Sequence, residues 1–232
     1  MEVGAALRTQ PIPGFTPDNT GDNISEKNKN YCELTALYWA WKNLDADFIG
    51  LVHYRRYFSN GKLLKRKEAR ILSEAELQKA LDRCGILLPK PRNYWIETNY
   101  SQYAHAHHAI DLDTTREILR ERYPAYIKAF DASMKRTVGH RFNMFVMSQE
   151  RLCAYCNWLF DVLFELEKRL DISGYDAYNA RVFGFVAERL LDVWIETNGY
   201  AYRELPVVNM ERQHWLRKGG SFVLRKIGVR VR

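Results

Sequence analysis

With 232 residues, 47% of them hydrophobic and 13% aromatic, the chain carries enough apolar side chain for one well-buried domain or one domain with a small appendage, and intrinsic disorder is excluded. Its net charge of +7 is unevenly placed: residues 217–232 hold Arg217, Lys218, Arg225, Lys226, Arg230 and Arg232 without an acid, so the body keeps only +1 and lacks the basic field of a nucleic-acid binder. The start, Met-Glu-Val-Gly-Ala-Ala-Leu, has no basic region leading into an apolar core, and no run of about 18 apolar residues occurs, which predicts a cytoplasmic chain.

Residues 1–30 are rich in Pro, Gly, Asn and Asp and read as a loop. Asn30 stands three residues before Glu33 in a capping-box arrangement, and Leu34, Leu37, Tyr38, Trp41 and Leu44 follow at helical spacing, which predicts a helix from Tyr31 to Leu44. Asp45-Ala-Asp47 resembles the acidic metal motif of many sugar transferases but falls at the amino end of the next strand and reads as a turn. Phe48-Ile-Gly-Leu-Val52 has no charge and reads as a buried parallel strand. It ends in His53, Tyr54, Arg55, Arg56 and Tyr57, at the carboxyl end where open α/β sheets bind ligands. Paired guanidiniums beside aromatic rings suit a phosphate or pyrophosphate. An exposed basic turn is the alternative.

Lys62 to Arg70 is a charged excursion, Ser73-Glu-Ala-Glu76 a full capping box opening a helix that stops at Gly85, and Ile86-Leu-Leu88 a short buried strand. The segment from Arg92 to Asp113 gathers Tyr94, Glu97, Tyr100, Tyr103, His105, His107, His108 and Asp111. His107, His108 and Asp111 have ligand chemistry, but a helix capped at Asp111 to Thr115 accounts for the acids without a metal. Pro124 suits the first turn of a helix to Arg136, and Phe142 to Met147 reads as another buried strand introduced by His140 and Arg141. Two long helices follow, over Gln149–Leu170 and Tyr175–Thr197, the second interrupted by Gly184; Tyr202 to Val208 is a last strand. Cys32, Cys84, Cys153 and Cys156 read as reduced core cysteines. The alternation of helix and strand predicts an α/β layered fold, a single domain over 1–216 followed by a basic tail over 217–232. That tail mixes its cations with Phe222, Leu224 and Ile227 and suits an anionic membrane surface, a solvated tail being the alternative.

Several strings then occur in one order: Asp18 to Asn28, Tyr31-Cys-Glu-Leu-Thr-Ala-Leu-Tyr-Trp39, His53-Tyr-Arg-Arg-Tyr57, Pro89-Lys-Pro-Arg-Asn-Tyr94, Tyr103-Ala-His-Ala-His-His108, Asn143-Met-Phe-Val-Met147 and Arg181 to Arg189. Over residues 18–208 the chain thereby resembles the glycosyltransferases of capsule, exopolysaccharide and lipopolysaccharide loci catalogued as domain of unknown function 4422. The resemblance implies a GT-A-like layered sheet that binds a nucleotide sugar at the carboxyl ends of its strands. It implies transfer of a hexose, with UDP-galactofuranose a candidate donor, to a glycan or lipid-linked acceptor at the inner face of the membrane. Family members usually begin with a further strand, so the chain is expected to be short at its amino end, and a non-catalytic sugar-nucleotide or glycan-binding remnant is the rival reading.

Glycosyl transfer needs charge to meet the departing diphosphate and a base for the attacking hydroxyl. Arg55 and Arg56 are expected to supply that charge in place of much of a metal's role, with Mn²⁺ or Mg²⁺ the other source. Lys27, Asn28, His53 and Tyr54 join them on the donor side. Glu188 is the first candidate base and Asp111 the second, while Tyr103, His107, His108, Asn143 and Arg181 are expected around the sugar or acceptor.

Overall fold

The computed structural model describes residues 1–62 and 64–211. The amino-terminal loop is tied down by one buried carboxylate. Asp18 accepts the backbone N–H groups of Gly4 and Ala5 at 2.9 Å and the hydroxyl of Thr35 at 2.6 Å. The predicted first helix is two pieces, α1 (Asn28–Tyr31) and α2 (Leu34–Asn43), because Cys32 sits at φ 53°, ψ −129° and breaks the ladder. Asn30 makes no cap; its amide donates to the carbonyl of Ala180 at 2.7 Å.

Next come β1 (Phe48–Leu51), β2 (Arg56–Phe58) and α3 (Glu74–Leu81). Helix α3 opens on the predicted capping box, with both reciprocal bonds of Ser73 and Glu76 made. The chain continues through β3 (Ile86–Pro89), β4 (Arg92–Asn93), α4 (Asn99–Ala106) and α5 (Ala109–Arg122). Helix α5 starts before Asp111, which lies inside its first turn and caps nothing. Pro124 begins a 3-10 turn leading into α6 (Ile127–Lys135), followed by β5 (Val138–Gly139) and β6 (Phe145–Ser148). The hydroxyl of Ser148 accepts the N–H of Arg151 and starts α7 (Gln149–Arg169). Helix α8 (Val182–Asn198) begins later than predicted, since Asp176 draws the N–H groups of Tyr178 and Asn179 into a turn. Gly184 thus lies in its first turn rather than interrupting it.

The predicted final strand is also two, β7 (Arg203–Leu205) and β8 (Val207–Asn209), divided at Pro206, which has no N–H to give a ladder. They serve different sheets. β7 runs parallel to β3 in a four-stranded sheet of order β1-β6-β3-β7, whereas β8 pairs antiparallel with β2. Strand β1 is not a buried parallel strand: it lies at the edge of the main sheet, antiparallel to β6, with Ile49 opposite Met147. Only Ile49 of β1 is fully buried; Leu51 packs partly against the core and, with the adjoining Val52, borders a cleft.

The period of two in β3 and β6 divides the sheet's faces. Ile86, Leu88, Phe145 and Met147 point to a large core with Tyr31, Leu37, Tyr155, Leu159, Leu190 and Trp194 from the helices. Leu87 and Val146 point to a smaller one with Phe58, Leu81, Met144 and Leu205. Helices therefore flank a mixed sheet in an α/β layered fold. Each fully buried Leu, Ile, Val or Phe contributes roughly 1.5–3 kcal/mol, so both faces favour the same strand register.

Candidate functional site

A cleft of about 950 Å³ opens along β1 and the turn after it. Its walls come from three places: the α1–α2 break with Asn28, Cys32 and Glu33, the turn His53–Tyr57, and the first turns of α8 with Arg181, Gly184, Phe185 and Glu188. Phe142, just before β6, closes the floor.

The turn is built locally and then pinned. The N–H of Arg56 donates to the carbonyl of His53 at 3.0 Å, and the carbonyl of Arg55 accepts the N–H of Met210 at 2.9 Å. The His53 ring hydrogen-bonds through Nε2 to the carbonyl of Phe142. The guanidinium of Arg56 lies 4.0 Å from the centre of the Phe142 ring. Burial, then the charges of Arg55 and Arg92, push Arg56 below its ordinary value, and Glu188 opposes them. Arg56 stays a cation at any working pH, but one crowded by like charges and thus receptive to an anion. Arg55 is more open, 45% exposed, and pairs with Glu211 at 2.9 Å.

Across the cleft, Glu188 is 19% exposed and accepts from Nη1 of buried Arg189 at 3.1 Å; Nη2 of Arg189 is held by Gln102 at 2.8 Å. Arg181 donates from Nε to the thiol of Cys32 at 3.0 Å. Burial pushes that thiol above its ordinary value despite Arg181. Glu33 faces the cleft with its Oε1 accepting from Asn143 Nδ2 at 2.9 Å.

Of the residues predicted from the sequence, the structure brings His53, Tyr54, Arg55, Arg56, Asn28, Arg181 and Glu188 together along this cleft. The others lie elsewhere. Asp111 is buried with Oδ2 accepting from Tyr103 at 2.8 Å and Oδ1 from Tyr175 at 2.7 Å, so neither oxygen faces a substrate. Tyr103 is spent on that bond and fully buried. The His108 ring packs at a tilt on Tyr175 at 4.1 Å, while His107 bonds Asn179 at 3.0 Å and stacks on Phe185 at 4.2 Å. Lys27 pairs with Glu167 at 2.6 Å, and Asn143 reaches the cleft only through Glu33. Sequence reasoning missed Glu33 because its spacing from Asn30 suits a cap, a bond the break at Cys32 prevents.

Among the described residues no group of three or more His, Cys, Asp and Glu side chains is arranged to hold a metal ion. The carboxylates that the cleft offers a divalent cation are Glu33 and Glu188, each with one oxygen bonded to a neighbour, so phosphate oxygens of a ligand would have to complete the shell.

Nothing among curated proteins matches the chain. Among solved structures it is similar to the apo form of the bifunctional glycosyltransferase WbbM, with 32% sequence identity and a TM-score of 0.83 over 90% of this chain. It spans 41% of the length of that protein. Residues 1–199 match the model of a family described as Domain of unknown function (DUF4422). With most of its length inside that match, the chain belongs to the DUF4422 family.

Proposed function

We propose that the chain is a glycosyltransferase that takes a hexose from a nucleotide sugar, a UDP-sugar such as UDP-galactofuranose, and passes it to a growing surface glycan on a lipid-linked acceptor. The observation that carries this reading is the gathering of Arg55, Arg56 and the carboxylate of Glu188 along one cleft. The arginines bind the diphosphate as planar donors, and Arg56 is held in place by Phe142. The acceptor hydroxyl attacks C1 of the donor sugar and the bond from C1 to the phosphate oxygen breaks. Glu188 takes the hydroxyl proton while the arginines meet the charge gathering on the departing diphosphate. A bound Mn²⁺ or Mg²⁺ would supply further positive charge at the phosphates. Arg189 holds one oxygen of Glu188 at 3.1 Å and so aims the carboxylate.

The test is titration calorimetry with UDP, with and without Mn²⁺, on the native chain and on Arg56→Ala, together with a turnover screen of UDP-sugars. A lost charge-assisted bond of about 1.5–3 kcal/mol should weaken UDP binding by roughly ten- to a hundredfold in the variant. Undiminished UDP affinity in Arg56→Ala would refute the role of the turn. Binding without turnover of any UDP-sugar would favour the non-catalytic rival.

A further inference from the structure

We infer that Glu33 recognises hydroxyl groups of the sugar carried by the donor and that Asn143 is its positioning residue, an inference that rests on the glycosyltransferase reading above.

The first argument is what the chain gives up to place this carboxylate. Glu33 stands at the N-cap of α2, where a side chain ordinarily bonds the helix's free N–H groups, yet it makes no such bond. Its Oε1 is instead held by Asn143 Nδ2 at 2.9 Å, and the same amide donates to the carbonyl of Gly184 at 3.1 Å. Asn143 is 2% exposed, and its Oδ1 is buried without a hydrogen-bond partner. Asn143 lies at φ 48°, Phe142 at 77° and Cys32, beside Glu33, at 53°. Among the described residues the only other non-glycine with positive φ is Trp95. Such conformations each cost about 1–3 kcal/mol and persist where surrounding structure imposes them, commonly at ligand sites.

The second argument is chemical. Arg55, Arg56 and Arg181 already provide for anionic groups, and a carboxylate repels phosphate, so Glu33 suits a neutral polyol. An ionised carboxylate only accepts, with room for about four bonds, and Asn143 fills one. The remaining capacity matches adjacent sugar hydroxyls, which donate. Glu33, Cys32 and Glu188 all line the cleft, so the two carboxylates share it. A sugar between them would have hydroxyls on Glu33 and its reacting carbon toward Glu188.

The experiment compares UDP with UDP-glucose, UDP-galactose, UDP-N-acetylglucosamine and UDP-galactofuranose by calorimetry on the native chain, Glu33→Gln, Asn143→Gly and the double variant, with thermal melts to confirm folding. The native chain should bind at least one UDP-sugar more tightly than UDP. Glu33→Gln should keep UDP affinity within twofold and lose that sugar-dependent gain by tenfold or more. Asn143→Gly relieves its own backbone strain, should weaken the gain less, and should add nothing to Glu33→Gln, since it acts through that carboxylate. Unchanged preference among sugars in Glu33→Gln overturns the inference alone, as does a native chain that binds UDP and every UDP-sugar equally. A native chain that binds neither UDP nor any UDP-sugar overturns the glycosyltransferase reading itself.

Discussion

Glu188 and Asp111 are both carboxylates on helices, and what separates them is whether their oxygens are already engaged. Glu188 has one oxygen on Arg189 and faces the cleft, so Glu188→Gln should lower kcat by a hundredfold or more while UDP affinity holds. Near-normal turnover would remove it as the base. Asp111 is spent on two tyrosines, and its consequence is for stability. Burial raises it above its ordinary 3.8, against the opposing bonds from Tyr175 and Tyr103. The folded chain therefore holds this proton more tightly than the unfolded one, and its contribution to stability grows as pH falls through the raised value toward 3.8. Melts of the native chain minus Asp111→Asn should show the native advantage rising between neutral pH and about pH 4; a flat or falling difference contradicts the raised value. From sequence, the place of Arg55 and Arg56 on a cleft was legible because they stand at the carboxyl end of an apolar strand, whereas Glu188 was singled out through a helix interruption at Gly184 that lies instead at the helix start. Asp111 and Glu33 were not legible, because the partners that set their roles, Tyr175 and Asn143, lie 64 and 110 positions away.

The elements show the same division between local and distant causes. Ser73 with Glu76 is a capping box written within four residues, and α3 begins there as the pattern predicts. The length and phase of α7 are equally local. The break at Cys32 is not, since a cysteine carries no preference for a positive φ and Asn30 with Glu33 imitates a cap. The break packs against the start of α8, where a Cβ added at Gly184 would lie 3.6 Å from the Cys32 Cβ and the Tyr31 carbonyl. Removing the strain should show. Cys32→Gly removes about 1–3 kcal/mol of backbone strain and adds about 0.5–1 kcal/mol of chain entropy, so a net gain of about 1 kcal/mol is expected. That corresponds to a rise of about 2–4 °C in Tm for a chain of this size, whereas Cys32→Val should lower Tm. A fall in Tm for the glycine variant would mean that the thiol contact to Arg181 outweighs the strain. The edge position of β1 was equally hidden: an uncharged run reads as buried on both faces, and nothing within it says that one flank is a cleft.

For the whole molecule, the sheet divides two cores and leaves the cleft along its β1 edge, and the described chain ends beside that cleft, where Glu211 pairs with Arg55. The expected membrane-binding tail, residues 217–232, lies outside the described residues, so the argument for it rests on charge and location. The six cations of residues 217–232 follow Glu211 within about twenty positions of sequence, while the rest of the chain is nearly neutral. No helix among the described residues is long and apolar enough to cross a membrane. Contact with an anionic surface would therefore fall on this tail, which follows in sequence from the residue that pairs with Arg55. Each cation is worth about 1 kcal/mol close to an anionic leaflet, and salt together with the cost of ordering the segment reduces the total. The expected behaviour is weak, reversible binding to phosphatidylserine vesicles at low salt that fades as ionic strength rises and disappears when the residues after Leu216 are removed. UDP affinity should be the same in both chains, because the arginines of the turn remain. Equal sedimentation of full and shortened chains with the vesicles, or binding by neither at low salt, would leave these cations a solvated tail and remove the membrane from the proposed function.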